Sequence, residues 1–278
     1  MASMKDIKLR IKSVESTMQI TKAMQLVAAS KLRRARERME ASQPFLKLAT
    51  DTMNAAAAGM DGKGVYFAPK SEKRLYVVVA GDRGLAGGYN SNVFKLVAEH
   101  ADGAPFRVLP VGKKALEKYG KTNGCVVSAD YPVAEIVTVG HAFRMAEMVL
   151  DGYRNGEFGQ VYLVYTRFDS MLTQTATLTQ LLPLTVPEKG SVQQIGQVLV
   201  EQEPEEILET VLPNVIAGSI FSAVRASFAS EQAARRAAMD SATKNAGDMI
   251  EDLSLKYNRA RQGAITQELT EIVAGAEH

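Results

Sequence analysis

Along the N-terminal segment, Ile7, Ile11, Val14, Met18, Thr21, Gln25, Ala28, Leu32, Ala35 and Met39 recur in alternating steps of four and three. This spacing predicts a long helix with a heptad-like stripe. Most apolar members are small or flexible, and Thr21 and Gln25 are polar. A second short stripe, Ile20, Met24 and Val27, lies on another face and calls for a further packing partner. Pro44 lacks a backbone donor, so the helix is expected to kink or restart there. Phe45 to Ala58 continues the helical pattern, which ends near Gly59 and the loop Asp61-Gly62-Lys63-Gly64.

The period then changes. Leu75 to Ala80 is a short β-branched run of the kind that forms a buried strand. A glycine-rich turn spans Gly81 to Asn92, and a helix is expected to follow to about Ala101. Phe106–Val111 reads as a second strand, Lys113 to Tyr119 as a short helix, and Cys125-Val126-Val127 as a third, weaker strand. Val133 to Asn155 reads as a helix with Ile136, Val139, Phe143, Ala146 and Leu150 on one face. Gln160–Thr166 is a fourth strand, and the alternation in Thr173–Leu182 predicts a fifth that returns as an antiparallel edge. Strands alternating with helices predict an α/β layer with a mostly parallel sheet.

Residues 187–206 read as loop, after which a helix runs close to the end of the chain. It starts either at Ile207, with an interruption at Pro213, or at Pro213 as its first position. From Asn214 to Val273 there is no proline, and such a helix is on the order of 90 Å long. Its stripe comprises Met239, Ala242, Ala246, Met249, Leu253, Tyr257, Ala260 and Ala264, below an alanine-rich stretch with Ala226, Ala229, Ala233 and Ala237. The predicted fold class is therefore α/β, with a Rossmann-like head (72–200) bracketed by terminal helices at 1–59 and 207–278. The two long helices either pair with each other as an antiparallel coiled coil or pair with those of another protomer.

Charge is unevenly distributed. Residues 1–47 carry 11 Lys/Arg against 4 Asp/Glu, while the rest is slightly acidic and the whole chain is +2. The basic run Lys31–Arg38 shares a helix with the apolar stripe, and residues 1–44 hold no aromatic side chain, so a solvated or acid-facing helix is a better reading than nucleic acid, and an acidic protein partner fits equally well. Cys125 is the only cysteine, so an intrachain disulfide is excluded, and its apolar flanks predict a small buried residue. The opening residues show no apolar core of a secretory signal, and no apolar run is expected to reach the length of a membrane span. His100, His141 and His278 are scattered without metal-ligand spacing. No nucleophile elbow or paired-carboxylate signature appears.

Two features invite a functional reading. Ala80–Asn90 follows a strand and opens a helix, where a phosphate cradle would sit. Arg83, however, occupies the place of the second glycine in a G-x-G-x-x-G fingerprint, and a G-K-[ST] sequence is missing. A tight turn with positive φ and close helix–strand packing explains the glycines better. The second feature is a polar island at Arg259–Glu268 near the end of the long helix. Gln262 and Thr266 share a face at i, i+4, as do Arg261 and Glu268 at i, i+7. Beyond them Ile265, Leu269, Ile272 and Val273 form an apolar tip that needs a covering surface.

The opening Met4–Val14 and Ile20–Leu32, the turn Asp82–Asn90, and the closing Ala238-Met239, Ala242–Ala246, Tyr257–Gln262 and Ile265–Val273 together resemble the F-type ATP synthase gamma subunit. The resemblance covers the whole chain in order. Ala86 stands where many members have cysteine and Gly263 where many have alanine. The insert with a regulatory cysteine pair found in chloroplast members is missing, so redox control is not expected.

The resemblance implies a central rotor shaft without an active site or cofactor of its own. It would couple ion flow through a membrane c-ring to ATP synthesis or hydrolysis at beta subunits, and would regulate ATPase activity and ion flow. The implied partners are the alpha and beta subunits of the surrounding ring, the epsilon subunit and the c-ring. With the short start, this implies a peripheral protein on the cytoplasmic face of a bacterial membrane, bound there only through the complex. Arg261, Gln262 and Thr266, with Glu268 as a weaker candidate, match shaft positions that bond loops of the ring. Lys22, Lys31, Arg33, Arg34 and Arg36 are candidate contacts for an acidic lever segment of beta, with Met24 at a near-contact position. Ile265, Leu269, Ile272 and Val273 would turn in an apolar bearing. The competing readings are a dimeric coiled-coil tether and a nucleotide-binding enzyme built on the Gly81–Gly88 turn.

Overall fold

A computed structural model describes residues 4–60, 62–122, 124–131, 133–186 and 203–276. The chain contains a first helix α1 (Met4–Gly59), β1 (Arg74–Val79), α2 (Tyr89–Ala101), β2 (Phe106–Val111), α3 (Lys113–Tyr119), a 3-10 turn (Ala134–Ile136), α4 (Val139–Arg154), β3 (Gln160–Phe168), β4 (Gln174–Leu182) and a last helix α5 (Pro204–Ala276). It divides into two compact units, residues 1–29 with 235–278, and residues 30–234.

The larger unit is built on a four-stranded sheet of order β2-β1-β3-β4. The β1–β2 and β1–β3 pairs are parallel, and β4 is an antiparallel edge, as the alternation of its residues predicts. Successive side chains on a strand point to opposite faces, and β1 shows the consequence. Leu75, Val77 and Val79 enter one core with Leu109, Val111, Leu163 and the α4 residues Met145, Val149 and Tyr153. Tyr76, Val78 and Ala80 enter the other with Val93 and Val97 of α2 and Ala115 of α3. Helices thus cover both faces, which is why the central strands read as continuous apolar runs.

Several expectations are corrected. Cys125-Val126-Val127 does not form a third strand. Val126 makes a single parallel bridge to Val108, and the chain then leaves for the 3-10 turn. The helix expected from Val133 starts at Val139, because Thr138 caps it: its hydroxyl accepts the His141 amide, and His141 Nδ1 accepts the Thr138 amide. Helix α1 runs through Pro44 without restarting. Helix α5 begins at Pro204, earlier than either sequence alternative, and holds Pro213 in its interior. Pro204 suits a first helical position, and Glu205 and Glu206 favour the helix dipole there. Around Pro213, Leu212, Val215 and Ile216 are buried, and their packing outweighs the one lost hydrogen bond. The expected loop at 187–206 lies outside the described residues as far as 202.

Contrary to the sequence expectation, one stretch of α5 is long and apolar enough to cross a membrane. In the fold, Leu208, Leu212, Ile216 and Ile220 of this helix lie in the sheet core. The start of α5 is also tied by polar contacts. Arg154 of α4 donates to Glu209 Oε2 at 2.6 Å, and the Tyr66 hydroxyl donates to Glu209 Oε1 at 3.0 Å. Farther along the larger unit, Leu32, Ala35 and Met39 of α1 pack on Ala226, Ala229 and Ala233 of α5.

The smaller unit is an intrachain antiparallel pair of helical segments. Every described member of the predicted α1 stripe from Ile7 to Ala28 is buried or half-buried, and so are Met239, Ala242, Ala246, Leu253, Tyr257, Ala260 and Ala264 of α5. Met249, expected in the stripe, is exposed, as is Ala237 above it. Two polar rungs cross the seam: the Thr21 and Thr243 hydroxyls lie 2.7 Å apart, and Gln25 Nε2 donates to Asp240 Oδ1 at 2.9 Å. Polar pairs inside a coiled coil specify register at a cost in stability.

Asp240 supplies a test. Its carboxyl is held below the ordinary carboxylate range, first by the hydrogen bond from Lys244 and more weakly by that from Gln25. A depressed folded value means the stabilisation is complete above the ordinary value of 3.8 and is lost as pH falls through the lower folded value. Asp240→Asn is expected to remove this acid-limb component, measured by helical circular dichroism on thermal melting between pH 2 and pH 6.

Candidate functional site

In parallel α/β sheets, ligands bind beyond the carboxyl ends of the strands where the chain order reverses. Here the reversal lies between β1 and β3. The chain passes from β1 to β2 by way of α2 on one face and reaches β3 by way of α4 on the other. The glycine-rich turn after β1 opens at this point, so the choice between phosphate cradle and packed turn is decided by what surrounds it.

Carboxylates and backbone surround it. Asp82 Oδ1 accepts the amides of Lys113 at 3.2 Å and Ala134 at 2.8 Å, and Oδ2 accepts that of Glu135 at 3.1 Å. The turn thus supplies its own anion to the start of α3 and to the 3-10 turn. The Gly81 amide donates to Asn90 Oδ1 at 2.9 Å. A Cβ on Gly81 would lie 2.9 Å from the carboxyl carbon of Glu231, a buried residue of α5. Tyr89 is buried beside it, and its hydroxyl is pushed well above the ordinary phenol range by burial and then by the Glu231 charge.

The rest of the crevice is filled by α5. The last β1–β3 pair is Val78↔Val164. Two residues further along β3, the Thr166 amide donates to Ser227 Oγ at 3.0 Å, and Ser230 Oγ donates to the Thr166 carbonyl at 3.1 Å. Two serines of a helix therefore satisfy both backbone groups of a strand residue beyond its parallel neighbour. Sequence reading missed this contact. The available signal was Ser227, Ser230 and Glu231 sharing one face of an alanine-rich helix at i, i+3, i+4.

The predicted site residues do not form one cluster. Lys22 is exposed and Met24 half-buried in the smaller unit, flanked by Ile20 and Val27, each 58% exposed. The second apolar face of α1 is thus largely uncovered within the chain. Arg261, Gln262, Thr266 and Glu268 are exposed in the same unit, roughly 27 to 38 Å along the helix from Thr243. The register of the two rungs puts Met4, the first described residue, about level with Ala260. The Thr266 hydroxyl donates to the Gln262 carbonyl at 2.9 Å, which leaves its oxygen as an outward acceptor. Ile265, Leu269 and Ile272 are 48%, 58% and 67% exposed. Val273 lies within α5.

The remaining basic candidates belong to the larger unit. Lys31 is already engaged: its Nζ lies 2.9 Å and 3.2 Å from the two Glu135 oxygens, and over the Phe228 ring. Arg33 and Arg34 are exposed. Arg36 lies over Phe168 and reaches Glu40 at 3.3 Å. Cys125 is buried, and burial raises its thiol above the usual range. Among the described residues, no group of three His, Cys, Asp or Glu side chains could hold a metal ion.

The chain thus contains an antiparallel pair of long helical segments in one unit and, in the other, an α/β sheet whose strand-end crevice holds the chain's own helix. The profile of the family described as ATP synthase matches residues 3–278. The chain is 44% identical over 282 residues to the ATP synthase gamma chain of Ruminococcus albus, spanning 98% of this chain and 97% of that one. It is 39% identical to the sodium ion specific ATP synthase gamma chain of Acetobacterium woodii, spanning 99% and 98%. The fold is similar to that of a chain in the rotor of Euglena gracilis mitochondrial ATP synthase, with a TM-score of 0.69, 18% identity, and coverage of 94% and 98%. The chain belongs to the ATP synthase gamma-chain family, whose members are rotor components.

Gly263 offers a local test within the polar island, since an added Cβ there would meet nothing within 4 Å. Gly263→Ala is expected to stabilise that stretch of helix by up to about 1 kcal/mol. The readout is slower amide hydrogen exchange around Gly263 with unchanged exchange in the sheet.

Proposed function

We propose that this chain is the central rotor shaft of a bacterial ATP synthase and carries no active site. Its terminal helices, 1–59 and 207–278, serve as the shaft, and 72–200 as the head. The shaft turns inside a ring of alpha and beta subunits, which hold the nucleotide sites, while the head works with an epsilon subunit on a membrane c-ring. The chain is then a peripheral protein on the cytoplasmic face of the membrane, and its asymmetry both couples and regulates ATP turnover and ion flow.

The observation that carries this reading is the exposed end of α5. Arg261, Gln262 and Thr266 present donors and an acceptor on a helix whose other face is half-buried. Just beyond them, the exposed apolar tip calls for a socket. In this reading Arg261, Gln262, Thr266 and Glu268 bond loops of the ring, and Ile265, Leu269, Ile272 and Val273 turn in an apolar bearing. Lys22, Met24, Arg33, Arg34 and Arg36 face an acidic segment of beta, which Lys31 can join by exchanging Glu135 for a partner carboxylate. Few and small apolar contacts suit a shaft that must not favour one ring orientation too strongly.

Added to separately purified alpha and beta subunits, the chain is expected to restore ATP hydrolysis. The triple variant Arg261→Ala, Gln262→Ala, Thr266→Ala should lower that activity by about tenfold, since it removes several bonds to the partner. Equilibrium dialysis of the isolated chain should detect no saturable ATP binding. A saturable site weakened by substitutions in the Gly81–Gly88 turn would overturn the rotor reading.

A further inference from the structure

We infer that Ser227 and Ser230 are positioning residues that lock the roll of α5 on the sheet, making the strand-end crevice a torque-bearing joint; this rests on the rotor reading above. A helix transmits torque to a sheet only if it cannot roll in its seat. The apolar contacts of α5 with the sheet core and with α1 are non-directional, so they resist separation far better than rolling. Hydrogen bonds are directional and weaken steeply when bent.

Ser227 and Ser230 make two such bonds of opposite sense to a single residue. The serine at 227 accepts from the Thr166 amide, and that at 230 donates to the Thr166 carbonyl. The three-residue spacing places both hydroxyls on one helix face, so rolling α5 in either direction bends or lengthens at least one of the bonds. Both serines and Thr166 are buried, so no bulk water waits to replace a broken bond. Gly81 lies against the Glu231 carboxylate on the neighbouring position of the same face, which closes the seat from the β1 side. The contact thus satisfies the Thr166 backbone groups while holding one azimuth of the helix.

The test compares Ser227→Ala/Ser230→Ala with Ala226→Gly, a control that destabilises the same buried stretch without touching Thr166. In the isolated chain, Ser227→Ala should speed hydrogen exchange of the Thr166 amide by roughly tenfold or more relative to Ala226→Gly. In the complete membrane-reconstituted complex, the double variant should keep ATP hydrolysis near wild type while ions pumped per ATP fall by at least about twofold. The control should keep the wild-type ratio. Unchanged exchange at Thr166 in Ser227→Ala, or a wild-type pumping ratio in the double variant, overturns the inference. Failure of the unsubstituted chain to restore hydrolysis to alpha and beta overturns the rotor reading instead. Should the double variant not assemble, Ser230→Ala alone is measured in the same way: a lowered ratio supports the inference, and a wild-type ratio overturns it.

Discussion

The docking of α5 against the carboxyl ends of β1 and β3 is the constraint on which the rest of the larger unit depends. A helix of 73 residues cannot hide one uniform apolar face in a single core, so its character changes with what it meets. From Leu208 to Val224 it supplies large aliphatic side chains to the sheet core. From Ala226 to Ala233 it is small toward α1 and polar toward the strand ends. That polar face meets backbone groups and a glycine, where an aliphatic side chain would leave the Thr166 peptide groups unpaired. The acidic turn at Asp82 follows from the same geometry, since α3 and the 3-10 turn begin beside the crevice and their amides require an acceptor.

In the smaller unit, specificity is placed above adhesion. The seam is made of small and flexible residues with two polar rungs, Thr21 with Thr243 and Gln25 with Asp240. Each threonine hydroxyl also lies within bonding distance of a carbonyl of its own helix, at 3.0 Å from Met18 and 2.8 Å from Met239. A slip along the seam would bury these groups against aliphatic neighbours, so the rungs disfavour alternative registers. What is lost in buried apolar area is recovered as a single defined pairing, and the uncovered face with Ile20 and Val27 stays available to other surfaces.

Much of the fold is legible in the sequence because periodicity reports burial directly. The α1 stripe from Ile7 to Met39 is buried or half-buried at every position, and β1 divides its side chains between two cores as an apolar strand must. The departures share one cause: local signals overruled by contacts distant in sequence. Pro213 reads as a boundary, yet the packing of Leu212 and Ile216 carries the helix through it. Val133 to Ile136 reads as helix, but Asp82, far back in the chain, draws those amides into a 3-10 turn. The candidate site is legible as residue types and less so as geometry. The exposure of Arg261, Gln262 and Thr266 follows from a helix with a stripe on its other side. The engagement of Lys31 by Glu135, 104 positions away, does not. The shared face of Ser227, Ser230 and Glu231 is the one signal of the seat at Thr166, and it names no partner, so the contact itself emerges only in three dimensions.

The filled crevice has a consequence for control. In enzymes built on such sheets, this spot admits a cofactor and senses it. Here the same spot is occupied by the chain itself, so a small molecule could enter only by unseating a helix anchored on both sides. Stiffness and chemical responsiveness compete for one location, and this chain has settled the competition for stiffness. The groups the chain leaves for other contacts lie instead on its outer surfaces, where α1 and the end of α5 leave charged and apolar side chains uncovered.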